Sequence, residues 1–101
     1  MGFFNICMVS KEEFTLHACE QILRFTRVSK WDDLSEELKV QLSFNMGVVA
    51  LGLNLSKEEG YLSLQNARNG KVSMEEFHKH IRSIILSHKI IVDDAKVARP
   101  F

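Results

Sequence analysis

Residues 36–53, EELKVQLSFNMGVVALGL, decide how this chain folds. Read at about 100° per residue, the angle of an α-helix, the stretch carries two apolar stripes. Leu38, Leu42, Met46, Val49 and Leu53 fall on one side, and Val40, Phe44, Val48 and Leu51 fall on the opposite side. A helix on the surface of a globular protein needs only one such stripe. This one has to be covered twice, by the rest of its own chain or by another chain. Gly47 and Gly52 each cost about 1 kcal/mol against Ala in a helix interior. With Ala50 they leave little side chain on parts of the helix, so another backbone can come close.

Helix starts on either side follow a repeated punctuation. Ser10-Lys11-Glu12-Glu13, Ser56-Lys57-Glu58-Glu59 and Ser73-Met74-Glu75-Glu76 are S-x-x-E capping boxes, in which the Ser hydroxyl accepts from the N3 amide and the Glu reaches back. Trp31 to Leu34 reads either as a first turn capped by Ser29 or as a loop entering a helix capped by Ser35, and in both cases Asp32, Asp33, Glu36 and Glu37 crowd a helix start, where the dipole favours negative charge. The spacing predicts helices over 11–27, 35–53, 57–66 and 74–89. The first has Phe14, Ala18, Ile22 and Phe25 on its main face, with a flanking line of Leu16, Cys19 and Leu23. The last has Met74, Phe77, Ile81, Ile84 and Ile85 on one face, and His88 falls among them on the same wheel. Asn69-Gly70 marks the turn before it. Residues 1–9, MGFFNICMV, form an apolar lead-in too short for a membrane span, and residues 93–101 read as a flexible tail.

The chain therefore reads as all-α: one helical domain over residues 1–101, a compact bundle of four to five helices around a central apolar helix. With 46% hydrophobic and 26% charged residues, the composition is that of a globular protein and not of a disordered one. The two cysteines, Cys7 and Cys19, have neither metal nor redox spacing and are too few for a disulfide scaffold, which points to a reducing, cytoplasmic setting. Net charge is zero, but its distribution is uneven. Residues 1–64 hold six Lys/Arg against nine Asp/Glu, and residues 65–101 hold seven against four.

Residues 65–77, QNARNGKVSMEEF, resemble the second half of an EF-hand calcium loop, with Gly70 at the sharp turn, Val72 two residues on, Ser73, and Glu-Glu-Phe entering the next helix. An EF-hand needs oxygen ligands at loop positions 1, 3, 5 and 12. Those positions hold Gln65, Ala67, Asn69 and Glu76, and Ala67 cannot ligate. The resemblance thus implies at most a degenerate module without calcium binding. His17, His78, His80 and His88 include no pair at metal-binding helical spacing, and no phosphate loop, H-E-x-x-H or G-x-S-x-G is present. No cofactor and no metal is expected.

Function follows from the surplus of apolar stripe. Exposed apolar area of that size marks an interaction site. The chain reads as a small non-enzymatic protein–protein interaction or regulatory module, of adaptor or inhibitor type, acting as a homodimer. Its partner-binding residues would be Val40, Phe44, Val48 and Leu51 with Leu16 and Leu23, and His88 would be a buried, pH-sensitive group. An alternative is a helix–turn–helix nucleic-acid binder using Lys79, Arg82 and Lys89 on the basic C-terminal helix.

Overall fold

In the computed structural model, residues 10–100 are described. The lead-in expected over residues 1–9 lies outside them, as does residue 101. Five helices run through the described residues: α1 (Lys11–Phe25), α2 (Glu36–Gly52), α3 (Tyr61–Arg68), α4 (Met74–Ser87) and α5 (Asp94–Val97). A 3₁₀ turn, Trp31–Asp33, precedes α2, and no strand occurs among the described residues. The all-α bundle expected from the sequence is the fold that forms.

The hydroxyl half of the serine caps forms as read. Ser10 Oγ accepts from the Glu13 amide at 3.0 Å, Ser35 Oγ from Leu38 at 3.2 Å and Ser73 Oγ from Glu76 at 3.0 Å. Ser56 also forms its box, with the Glu59 carboxylate accepting from the Ser56 amide at 3.2 Å. That turn does not run on into α3, however. The backbone bends at Gly60 (φ −101°, ψ −92°), so the helix begins at Tyr61 and not at residue 57.

The helix ends share a second device. After α2, α3 and α4 one residue adopts positive φ: Asn54 (53°), Gly70 (75°) and Lys89 (59°). The amide of the following residue bonds back to the carbonyl five positions earlier: Leu55 to Ala50 at 2.9 Å, Lys71 to Asn66 at 2.9 Å and Ile90 to Ile85 at 3.1 Å. These are Schellman stops. Gly70 takes the left-handed conformation at no steric cost, whereas Lys89 adopts it despite its Cβ.

Helix α1 lies against α2, α4 and α5, while α2 lies against α1 and α3 and α3 reaches α4. Cys19, Ile22 and Leu23 of α1, Leu42 of α2 and Ile81 of α4 are fully shielded from solvent. The first stripe of α2 supplies its buried side chains, Leu42, Met46 and Val49, with Leu38 and Leu53 packed at the edge; of the second stripe Val48 alone packs against this core. Helices α1 and α2 come close at Gly52, where a Cβ would run into the Thr15 hydroxyl and lie 3.2 Å from the Thr15 Cβ. The small residue, expected to admit a neighbouring backbone, admits the Thr15 side chain here.

Residues 93–101, expected as a flexible tail, are the main correction to the sequence reading within the described chain. Residues 93–100 form a strap across α1. The buried Glu20 carboxylate accepts from the Asp93 amide at 2.8 Å. Arg24 donates to the carbonyls of Arg99 (3.1 Å) and Pro100 (2.7 Å), and Arg27 donates to that of Val97 (3.1 Å). Val97 is buried. These partners stand some seventy residues apart in the chain, where local periodicity carries no information about them.

Two outcomes are expected. Gly52→Ala should destabilise the fold by about 1 kcal/mol, because overpacking at Thr15 outweighs the better helix propensity. In a Thr15→Ala background the same change should become neutral or stabilising, which a double-mutant cycle in urea reads directly. Glu20→Ala should cost about 2 kcal/mol, the range for a hydrogen bond to a charged group. It should also speed amide exchange at Asp93 and Val97 ahead of the α1 and α4 amides.

Candidate interaction face on the second helix

Val40, Phe44 and Leu51 project from α2 at 68%, 63% and 83% exposure. Val48, on the same stripe, is half-buried and packed against the core. From Val40 to Leu53 the sequence holds no charged residue, so this outer face is both apolar and neutral. Gly47 lies on the exposed side of the helix as well, and a Cβ there would meet only open space.

Two grooves flank the ridge and meet at Val40. One, of about 540 Å³, lies between α1 and α2 and is walled by Phe14, Val40 and Phe44 with His17, Gln21, Gln41 and Asn45 along its rim. The other, of about 370 Å³, lies toward the 3₁₀ turn and α3 and is lined by Trp31, Glu36, Lys39, Val40, Ser43 and Arg68. Its charges are tied down: Lys39 pairs with Asp32 and with Glu36, each at 3.2 Å. The hydrogen bonds that Lys39 donates to Asp32, and then to Glu36, raise its pKa. The Arg68 guanidinium sits over the Trp31 ring at 5.7 Å, a cation–π distance.

Two of the expected partner-binding residues lie elsewhere. Leu23 is fully buried and belongs to the core, and Leu16 is half-buried. The line Leu16, Cys19, Leu23 is not a second outward stripe, because α4 and α5 as well as α2 pack on α1 and give it an unusually wide buried arc. Phe14 is the converse case. Assigned to the core face from spacing, it is 47% exposed and walls the groove. The signal that could have placed it is its position as the fourth residue of a capped helix, a site that serves the residues just before the cap.

His88 is also corrected. It is not buried among isoleucines but exposed at the C-cap of α4. The wheel that placed it inside assumed a helix running to residue 89, whereas the Schellman stop ends the helix at Ser87. The titratable group with structural leverage is His78. Arg82 Nε donates to its Nε2 at 3.1 Å, which leaves the ring proton on Nδ1, and that nitrogen lies 2.8 Å from the Thr26 hydroxyl. Thr26 in turn donates to the Ile22 carbonyl at 2.8 Å. His78 thus joins α4 to the end of α1, and its pKa is lowered by burial first and then by the charges of Arg82 and Arg27.

The other candidate chemistries do not converge. Among the described residues no three His, Cys, Asp or Glu side chains stand together as a metal site would require. In the EF-hand-like segment Ala67 is buried, and Glu76 lies 3.3 Å from the Ser73 hydroxyl as a capping partner. Lys79 pairs with Glu75 at 3.2 Å, and Arg82 reaches Asp94 at 3.4 Å, so acids interrupt the basic helix. Cys19 is a free thiol whose pKa burial pushes up to about 11, far from nucleophilic use. No helix among the described residues is long and apolar enough to cross a membrane.

Because the folded pKa of His78 lies below its unfolded value, the unfolded chain binds more protons as pH falls. The stabilisation from neutral His78 is complete above the unfolded value near 6.5 and is lost as pH falls through the lower folded value. Urea midpoints measured from pH 8 to pH 5 should therefore decline below about pH 6.5, and His78→Gln should flatten that decline. An equally steep decline in the variant would assign it to other groups.

The chain matches no protein-family model, no curated protein and no solved structure.

Proposed function

We propose that this protein is a small non-enzymatic interaction module, of adaptor or inhibitor type, that docks the outer face of α2 on a protein surface and pairs with a second copy of itself. The observation that carries the reading is the exposed, uncharged ridge of Val40, Phe44 and Leu51 with a groove on either side of Val40. Exposed apolar side chains gathered on one helix are what partner surfaces are made of. A ridge beside a groove on one face can receive the same ridge from a copy related by a two-fold axis. The lack of charge matters equally, since a face that meets itself would otherwise place like charges opposite one another.

The non-enzymatic part is supported by the engagement of the paired carboxylates. Asp33, Glu59 and Glu76 accept or approach capping groups at the starts of turns and helices. A reducing, cytoplasmic setting belongs to the same reading and is supported by the buried free thiol of Cys19. No particular observation favours nucleic acid, since Lys79 and Arg82 are both paired with acids.

The test is self-association measured by sedimentation across a wide concentration range. The mass average of the full chain should rise with concentration. Phe44→Asp should remain monomeric with an unchanged circular dichroism spectrum, because Phe44 is mostly exposed. Val48→Asp should instead destabilise the fold, since Val48 packs against the core. A mass that stays at one copy throughout would remove the homodimer.

A further inference from the structure

We propose that the second copy docks in one orientation: its α2 runs antiparallel to α2 of the first, and Phe44 of each copy fills the space that Gly47 leaves on the other. The inference rests on the reading of this face as the partner surface and adds the register in which a second copy fits it.

Three observations lead there. The first is the spacing of what the fold leaves outside. Glu37, Val40, Phe44, Gly47, Leu51 and Asn54 follow one another at alternating intervals of three and four residues, and all six are exposed. That alternation is the seam of a coiled coil, along which two helices pack side by side.

The second observation is size. Phe44 is the largest side chain on the seam and is 63% exposed, whereas a Cβ at Gly47 would meet nothing within 4 Å. Reversed about the middle of the helix, between Asn45 and Met46, the seam sets large against small. Phe44 comes level with Gly47 of the other copy, and Val40 with Leu51. Under a two-fold axis each match is made twice. Leu51, the most exposed of the ridge, then reaches the mouth of the α1–α2 groove beside Val40 of the other copy. A parallel pair would instead set Phe44 against Phe44 and leave a void between two glycines, where packing contacts are lost.

The third observation is charge. Glu37 is the one charged residue on the seam. In the antiparallel pair it comes level with Asn54 of the other copy, whose amide can donate to a carboxylate. In a parallel pair it would face its own copy, a like-charge contact. Size and charge therefore select the same direction.

The area sets the strength. Three apolar side chains and the adjoining groove wall bury on the order of 500 Å² per copy, short of the roughly 800 Å² of a standard interface. The pair is weak and reversible, with a dissociation constant on the order of 100 μM.

Sedimentation of the full chain, carried about tenfold above that concentration, reads the association. Gly47→Leu should weaken it by about tenfold or more, because the added side chain meets Phe44 of the other copy. Its urea midpoint at low concentration should hold or rise, since the position is open and Leu is the better helix former. Adding Phe44→Ala to Gly47→Leu should bring association back to within about fivefold of wild type, as large and small have changed places. A tighter pair in Gly47→Leu is the parallel outcome and overturns the proposal, as does a second change that restores nothing. Cross-linking gives an independent arm in a Cys7→Ser background, where the remaining thiol, Cys19, is buried. Mixed Val40→Cys and Leu51→Cys chains should form the mixed disulfide in preference to either self-linked pair, and dominance of the self-linked pairs would count against the antiparallel register. Self-association that Gly47→Leu leaves unchanged would remove this register and keep the homodimer, whereas a mass fixed at one copy would remove both.

Discussion

Ile22 and Leu23 of α1 are fully shielded from water, and the rest of the molecule is arranged by what shields them. Burying side chains of this size contributes about 1.5–3 kcal/mol each, and in α1 the buried set extends to Ala18, Cys19 and Phe25. One helix can be covered over that much of its circumference only if several others converge on it. Helices α2, α4 and α5 do so. In a chain of this length few helices are then left to cover anything else. The two-stripe character of α2 has its consequence here: its inner stripe is taken up by α1 and α3, and no remaining element of the described chain lies over the outer one.

The close approach of α1 and α2 at Gly52 and Thr15 sets where that outer stripe points. With the helices pinned at this crossing, Leu42, Met46 and Val49 face inward. Val40, Phe44 and Leu51, on the opposite side of the same helix, then face outward. Their exposure follows from the geometry of burial on α1 and is not a local accident of side-chain rotamers. Phe14 joins them because it lies at the start of α1, just off the arc that α2, α4 and α5 cover.

Much of this was legible in the residues. Ser10, Ser35 and Ser73 mark helix starts because a hydroxyl bonding an amide three residues on is a local interaction, complete within one turn. The stops at Asn54 and Gly70 are legible for the same reason, as both residues tolerate positive φ. Lys89 does not advertise such a stop, and that single omission carried His88 from the surface into the core on a wheel drawn two residues too far. The strap was beyond local reading altogether. Glu20 to Asp93 and Arg24 to Pro100 are pairings across the whole chain, and no short window holds both partners. Leu23 illustrates the remaining limit: periodicity identifies which side chains want cover but not which neighbour supplies it.

The absence of charge from Val40 to Leu53 bears on what supplies the cover for α2. A helix face meant for water is normally interspersed with Lys and Glu, which keep it soluble and discourage association with like surfaces. Elsewhere the chain follows that practice, as with Lys79 and Glu75 on the outside of α4. On α2 it is suspended over the residues whose apolar side chains the fold leaves uncovered. Gly47 on this same face is a poor helix former kept at an exposed position, where it gains nothing from packing within the described fold. A neutral, apolar ridge costs the isolated molecule solubility, and Gly47 within it costs helix stability. A partner surface closing over Val40 and Phe44, as proposed above, would bury this apolar area and offset the solubility cost.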